Sequence, residues 1–104
     1  MATGEPIMDT ETKVALTRLF DLAESDTGGG RVAANFLLAW WNAAELGGFD
    51  LTEIWLLDDL ASRDVRLVLA FLAENNVYPD AFVGRDRVAA LIGRWRPSAA
   101  TVED

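Results

Sequence analysis

The chain has no cysteine and no histidine. Without cysteine it can build neither a disulfide framework nor a thiolate metal site. Without histidine it lacks the commonest general base near neutral pH and the commonest metal ligand. Zinc sites and Ser-His-Asp triads are thereby set aside, and no catalytic, cofactor-binding or metal-ligating residue is expected. No apolar run approaches the ~18 residues that a membrane-spanning helix needs. No basic stretch leads into an apolar one after Met1, so no secretory signal is expected either. These absences point to a soluble, cytoplasmic, non-enzymatic chain.

Positive charge is scarce as well. Nine basic residues face seventeen acids, for a net charge of −8. Residues 1–62 carry all of that charge, with eleven acids against three bases, while residues 63–104 hold six of each. Such a chain is a poor direct binder of nucleic acid, because phosphates attract clustered Lys and Arg. Its natural partners are basic protein surfaces, including those of nucleic-acid-binding effector complexes. An acidic composition also serves solubility alone, so charge by itself does not decide the matter.

What is present is a core. The 104 residues are 51% apolar, enough for one packed domain and against intrinsic disorder. The organising stretch is RVAANFLLAWWNAAELGGFD, residues 31–50. Ala33, Phe36, Leu37, Trp40, Trp41 and Ala44 recur at the spacing of a helical stripe. Asn35, Asn42 and Glu45 mark a polar face that Leu38 and Ala39 thin out. A helix so apolar needs covering, since each large side chain left wet forgoes about 1.5–3 kcal/mol.

The covering elements follow in order. Residues 1–9 read as a loose tail, 10–97 as a single helical domain and 98–104 as a frayed tail. A first helix over residues 10–24 carries Leu16, Leu19, Phe20 and Ala23, with Asp9 or Thr10 as N-cap. Gly28, Gly29 and Gly30 read as a flexible connector, since each glycine costs a helix about 1 kcal/mol. A phosphate-binding reading of that loop lacks both a preceding strand and a G-K-[ST] ending. Gly47 and Gly48 end the central helix. Asp50, with Glu53 reaching back, starts a third helix that turns Ile54, Trp55 and either Leu57 or Leu51 inward. A fourth, from Asp58 or Ser62 to about Glu74, presents Val65, Val68, Leu69 and Leu72, and residues 51–75 form either one kinked helix or two. Arg63 and Arg66 pair with Asp59, Asp64 and Glu74 on the surface. Pro79 bars helix at Tyr78, and a last helix over 85–95 buries Val88, Leu91, Ile92 and Trp95 before Pro97. The fold class is all-α, a compact bundle of four to five short helices around the central Trp-rich one.

Two sets of charged residues are candidates for a partner-binding surface. Glu45, Asp50, Glu53, Asp58 and Asp59 form the acidic set, while Arg87 and Arg94, seven apart and on one face, form the basic one. Asp58 and Asp59 are adjacent, so on a helix they diverge by ~100° and do not make a paired-carboxylate site. A carboxylate-only enzyme using Mg²⁺ has no supporting spacing. Arg87 and Arg94 serve either pairs within the fold or a partner.

Several strings also carry a likeness. Ser25, Asp26, Thr27 and Gly28, then FLLAWWNA at residues 36–43 and GGFDLT at 47–52, resemble an uncharacterised family of small acidic proteobacterial proteins. Tyr78-Pro79 and Trp95-Arg96-Pro97 fit the same pattern, whereas Gly29-Gly30 and the arginine-rich start of the last helix depart from it. The resemblance implies carriage on integrative or mobile elements and supplies no catalytic residues. In that setting the sharpest expectation is an anti-CRISPR-like inhibitor that uses acidic residues to occupy a basic DNA- or RNA-binding surface. The alternative is a self-associating structural or regulatory subunit, a homodimer sealed by Trp40, Trp41 or Trp55.

Overall fold

The computed structural model describes residues 7–102. Among them the elements are α1 (Thr10–Ala23), α2 (Gly28–Leu46), a short 3-10 helix (Leu51–Leu56), α3 (Asp59–Glu74), α4 (Asp80–Val83), α5 (Arg85–Trp95) and α6 (Pro97–Val102), with no strand. Helix α1 is the hub of the packing. Both α2 and α3 lie along it, α5 leans on α2, and the 3-10 helix also rests on α2. Leu16, Leu19 and Phe20 of α1 meet Leu37 and Leu38 of α2, Val65 and Val68 of α3, and Val88 and Leu91 of α5 in one buried cluster.

Covering of α2 is deeper than a single stripe. Val32, Ala34 and Leu38 are buried together with Ala33, Phe36 and Leu37. The far end is different: Trp40 and Trp41 are half-buried and Ala44 is exposed. Regular helix lapses at Asn42 (φ −167°, ψ 78°). The Asn42 side-chain oxygen then accepts from the Glu45 N–H, capping the last turn. Gly47 closes α2 at φ 102°, a conformation that glycine adopts without a Cβ clash. Phe49 folds back edge-to-face on Phe36, with ring centroids 5.5 Å apart.

Residues 51–74 form two elements. The chain is extended at Leu57 (ψ 152°). Asp58 then caps α3 by accepting from the Ala61 N–H at 2.8 Å. The preceding segment is a 3-10 turn, and Trp55 on it is 83% exposed rather than turned inward. Glu53 does not reach back to cap; its carboxylate goes sideways to Arg31 and Asn35 of α2. Pro97 ends α5 as expected but also opens α6, where its missing N–H costs nothing. Met8, ahead of α1, is 4% exposed and joins the core. The tail readings for residues 1–6 and 103–104 lie outside the described residues.

The polar ties between helices run long distances in sequence. Arg18 of α1 grips Asp64 of α3 with two parallel bonds, Nε to Oδ2 at 2.9 Å and Nη2 to Oδ1 at 2.8 Å. Arg63 pairs with Glu11 of α1, and Arg66 reaches only the Ser62 carbonyl, so the expected pairs among neighbours on α3 do not form. Arg63 and Asp64 find their partners across the α1–α3 seam instead.

Two tryptophan indoles are also structural ties. Trp40 Nε1 donates to the Val77 carbonyl at 2.9 Å. Trp95 Nε1 donates at 2.7 Å to the carbonyl of Ala23 at the end of α1. Trp95→Phe is expected to cost about 1 kcal/mol, the worth of one hydrogen bond. Trp55→Phe, at an exposed site, is expected to change stability by less than about 0.5 kcal/mol. Parallel thermal melts check the contrast; equal losses would mean that the indole bond contributes nothing.

Candidate functional site

Packing α2 and α3 on a common helix leaves a gap between them. Phe36, Ala39 and Trp40 of α2 form one wall of this groove, and Val65, Leu69 and Leu72 of α3 form the other. Phe49, Leu51 and Ile54 border it, and its volume is about 220 Å³. The lining side chains are all aliphatic or aromatic, and the indole N–H of Trp40 is donated to the Val77 carbonyl. In a 3-10 helix side chains three apart eclipse each other. Leu51 and Ile54 therefore share the side that meets the groove. Glu53 lies on a second side against α2, and Trp55 projects from the third into solvent.

Residues 50–60, DLTEIWLLDDL, combine four carboxylates with no basic residue. In the same segment Leu51 is 66% exposed, Trp55 83%, Leu56 64% and Leu60 52%. Singly exposed apolar residues are ordinary, but four on one short segment beside an apolar groove are not.

The charges here have assigned local partners. The Asp50 carboxylate accepts from the Thr52 N–H at 3.0 Å and from the Thr52 hydroxyl at 2.7 Å. Those bonds hold its pKa below the ordinary value. Glu53 is held low too, first by the Arg31 guanidinium, then by the Asn35 amide. Asp58 and Asp59 sit at the start of α3, where the helix dipole favours negative charge. Among the described residues Asp50, Asp58 and Asp59 have no cationic partner. Glu45 has none either, but it borders a separate cleft of about 720 Å³ with Trp41, Arg85 and Ile92. The five acidic candidates thus divide: four lie on or next to the 3-10 helix, and Glu45 lines a separate cleft that Arg85 also lines.

The basic candidates are engaged within the fold. Arg87 bridges Asp21 at 2.7 Å and Glu24 at 2.8 Å on α1, and its guanidinium lies 5.2 Å from the Phe20 ring centre. Arg94 pairs with Asp26 and stacks on Trp95. Arg96 ties the end of α2, donating to the Leu46 carbonyl at 2.8 Å and to the Asn35 side-chain oxygen at 2.8 Å. A helix of arginines on an acidic chain is here an internal fastening. Sequence reasoning turns Trp55 toward the core and exposes it only in the self-association alternative, and it does not single out Leu56 or Leu60 as surface residues. The signal was that LTEIWLL offers no polar face to turn outward.

Among the described residues no group of acids is placed to hold a metal ion, and no helix is long and apolar enough to cross a membrane. The molecule is an all-helical domain with an apolar groove, which the carboxylate-rich segment 50–60 lines through Leu51 and Ile54. The chain belongs to a family of unknown function, DUF7673, whose model matches residues 13–96. No curated protein and no solved structure matches it.

Proposed function

We propose that this chain is a non-enzymatic protein-interaction module, which applies the face built by residues 50–60 to a basic surface on a nucleic-acid-handling partner. The observation that carries the reading is the exposure of Leu51, Trp55, Leu56 and Leu60 on a segment where Asp50, Asp58 and Asp59 lack cationic partners and only Glu53 has one. Apolar area supplies affinity when covered, and the carboxylates select a basic partner and speed encounter. The sharpest form of the reading is a counter-defence role of the anti-CRISPR kind. The acidic face would there occupy a DNA- or RNA-binding surface, in a protein carried on a proteobacterial mobile element. Its support is net charge and the setting that the sequence resemblance implies, not a motif.

The test is capture from a proteobacterial lysate at low and high salt, using tagged wild type beside Asp50→Lys/Asp58→Lys/Asp59→Lys. The expected result is a nucleic-acid-binding protein recovered at low salt and lost both at high salt and with the charge-reversed chain. Recovery of that protein by the charge-reversed chain would sink the reading. Self-association is the second reading, favoured by the exposure of Trp55. Two copies face to face would press like charges together, and a monomer by sedimentation at high micromolar concentration would remove it.

A further inference from the structure

We propose that the cleft lined by the end of α2, by α5 and by α6 binds a small apolar zwitterion. A free amino acid or a dipeptide would set its ammonium on Glu45 and its carboxylate on Arg85. The cleft shares no lining residue with the α2–α3 groove or with the face of residues 50–60. It therefore stands or falls apart from the function proposed above.

Size is the first argument. At about 720 Å³ the cleft falls within the ~300–1,000 Å³ typical of small-molecule sites, whereas the groove, at about 220 Å³, does not. Its lining is the second. Leu46 and Val88 are buried there, and Trp41 and Ile92 are half-buried. Trp41 is held by Tyr78, edge-to-face with ring centroids 5.9 Å apart. A fixed indole beside three aliphatic side chains gives an apolar body something to cover.

The charged groups carry the selection. Glu45 and Arg85 both line this cleft, and among the described residues neither side chain has a hydrogen-bond or ion-pair partner. Arg85 differs in this from the other arginines of its helix, since Arg87 holds Asp21 and Glu24 and Arg94 holds Asp26. Nor do Glu45 and Arg85 pair with each other, so the cleft offers one charge of each sign. Asn42 adds a neutral donor. Its side-chain oxygen is taken by the Glu45 N–H at 3.2 Å, while its amide N–H groups bond to none of the described residues. A nucleotide or other polyanion would set charge against Glu45, and a polyamine would set charge against Arg85. A molecule with one carboxylate and one ammonium satisfies both, and the guanidinium fork suits a carboxylate.

The experiment titrates the full chain with leucine, phenylalanine and the dipeptide leucylphenylalanine, read by ¹⁵N–¹H shifts and by calorimetry. Phenethylamine, hydrocinnamate and glycine serve as analogues that lack the carboxylate, the ammonium and the apolar body. The expected result is binding of the zwitterions with shifts centred on Asn42, Ala89 and Ser98. Each analogue should bind at least tenfold more weakly, the loss that one charge-assisted bond or the apolar contact entails. Arg85→Gln and Glu45→Gln should each weaken phenylalanine tenfold or more. Their melting temperatures should stay near that of wild type, because both side chains are exposed and unpaired. Arg85→Gln should leave phenethylamine binding unchanged, and Glu45→Gln should leave hydrocinnamate binding unchanged, since each analogue already lacks the group concerned. Tighter binding of the dipeptide assigns the site to peptides, and tighter binding of either single residue assigns it to free amino acids. Equal binding of phenylalanine and either of its two aromatic analogues would overturn the inference. So would phenylalanine binding that survives both substitutions, or the absence of any shift with all three zwitterions at millimolar concentration.

Discussion

Arg18→Met is expected to lower the melting temperature by about 12 °C or more, the largest effect of any single change to a charged residue here. The reason is an asymmetry in the pair that joins α1 to α3. The Asp64 side chain is 2% exposed, whereas that of Arg18 is 39% exposed. Asp64 has no route to water, and both of its carboxylate oxygens are satisfied by the one guanidinium. Removing the partner of so buried a charge costs about 3–5 kcal/mol, and for a domain near 100 residues each 1 kcal/mol moves the melting point by roughly 4–8 °C. Asp64→Asn should be milder. Its amide oxygen still accepts one bond, and Arg18 can turn its free donors to solvent. The double variant Arg18→Met/Asp64→Leu should recover most of the loss, since apolar replacement of a buried pair is often neutral. Differential scanning calorimetry of the four proteins gives the ranking. If Arg18→Met melted within a few degrees of wild type, the pair would be contributing only as an exposed one does.

Asp64 also shows where a sequence stops being legible. Its neighbours Val65, Val68 and Leu72 announce a helix by spacing, and α3 begins at the Asp58 cap as its residue types predict. Nothing at position 64 announces burial, because its partner is 46 residues away. The same holds on α5. Arginines 87 and 94 are visible as one face, but which acids they meet depends on how α5 lies against α1. Periodicity thus recovers faces, and tertiary packing decides which of them are covered. The candidate site follows that division. Asp50, Asp58 and Asp59 were nameable as acids at element starts, for reasons local to the backbone. The exposure of Trp55 was not. In a segment apolar on nearly every side, spacing cannot say which side meets the core, and a 3-10 turn has a different period from the helix assumed for it. The groove itself arises only because α2 and α3 share α1 as their support.

The three successive glycines at the start of α2 carry the second large effect, and they are expected to respond in three different ways. They belong to the helix, not to the connector, because the first turn has no intrahelical N–H bonds to lose and Thr27 supplies the cap, accepting from the Gly30 N–H at 3.0 Å. At Gly28 a Cβ meets nothing within 4 Å. Gly28→Ala should therefore stabilise by about 0.5–1 kcal/mol, through the entropy it removes from the unfolded chain. At Gly29 a Cβ would rest 3.6 Å from Leu22 Cδ1, an ordinary contact, so alanine there is expected to be neutral or mildly favourable. Gly30 differs in kind. Its Cβ would lie 2.7 Å from the Leu22 carbonyl oxygen, 2.8 Å from the Ser25 carbonyl oxygen and 2.9 Å from Ser25 Oγ. Two of those atoms are backbone, and Ser25 Oγ is itself held to Leu22 O at 2.6 Å. The turn cannot yield without moving the end of α1, onto which Trp95 is bonded through Ala23. Gly30→Ala is expected to cost about 1–3 kcal/mol, the usual range for overpacking, and to lower the melting point while Gly28→Ala raises it. Thermal melts of the three alanine variants decide it. A Gly30→Ala protein as stable as Gly28→Ala would mean that the α1–α2 turn is loose, and that only its sequence, not its close packing, calls for glycine.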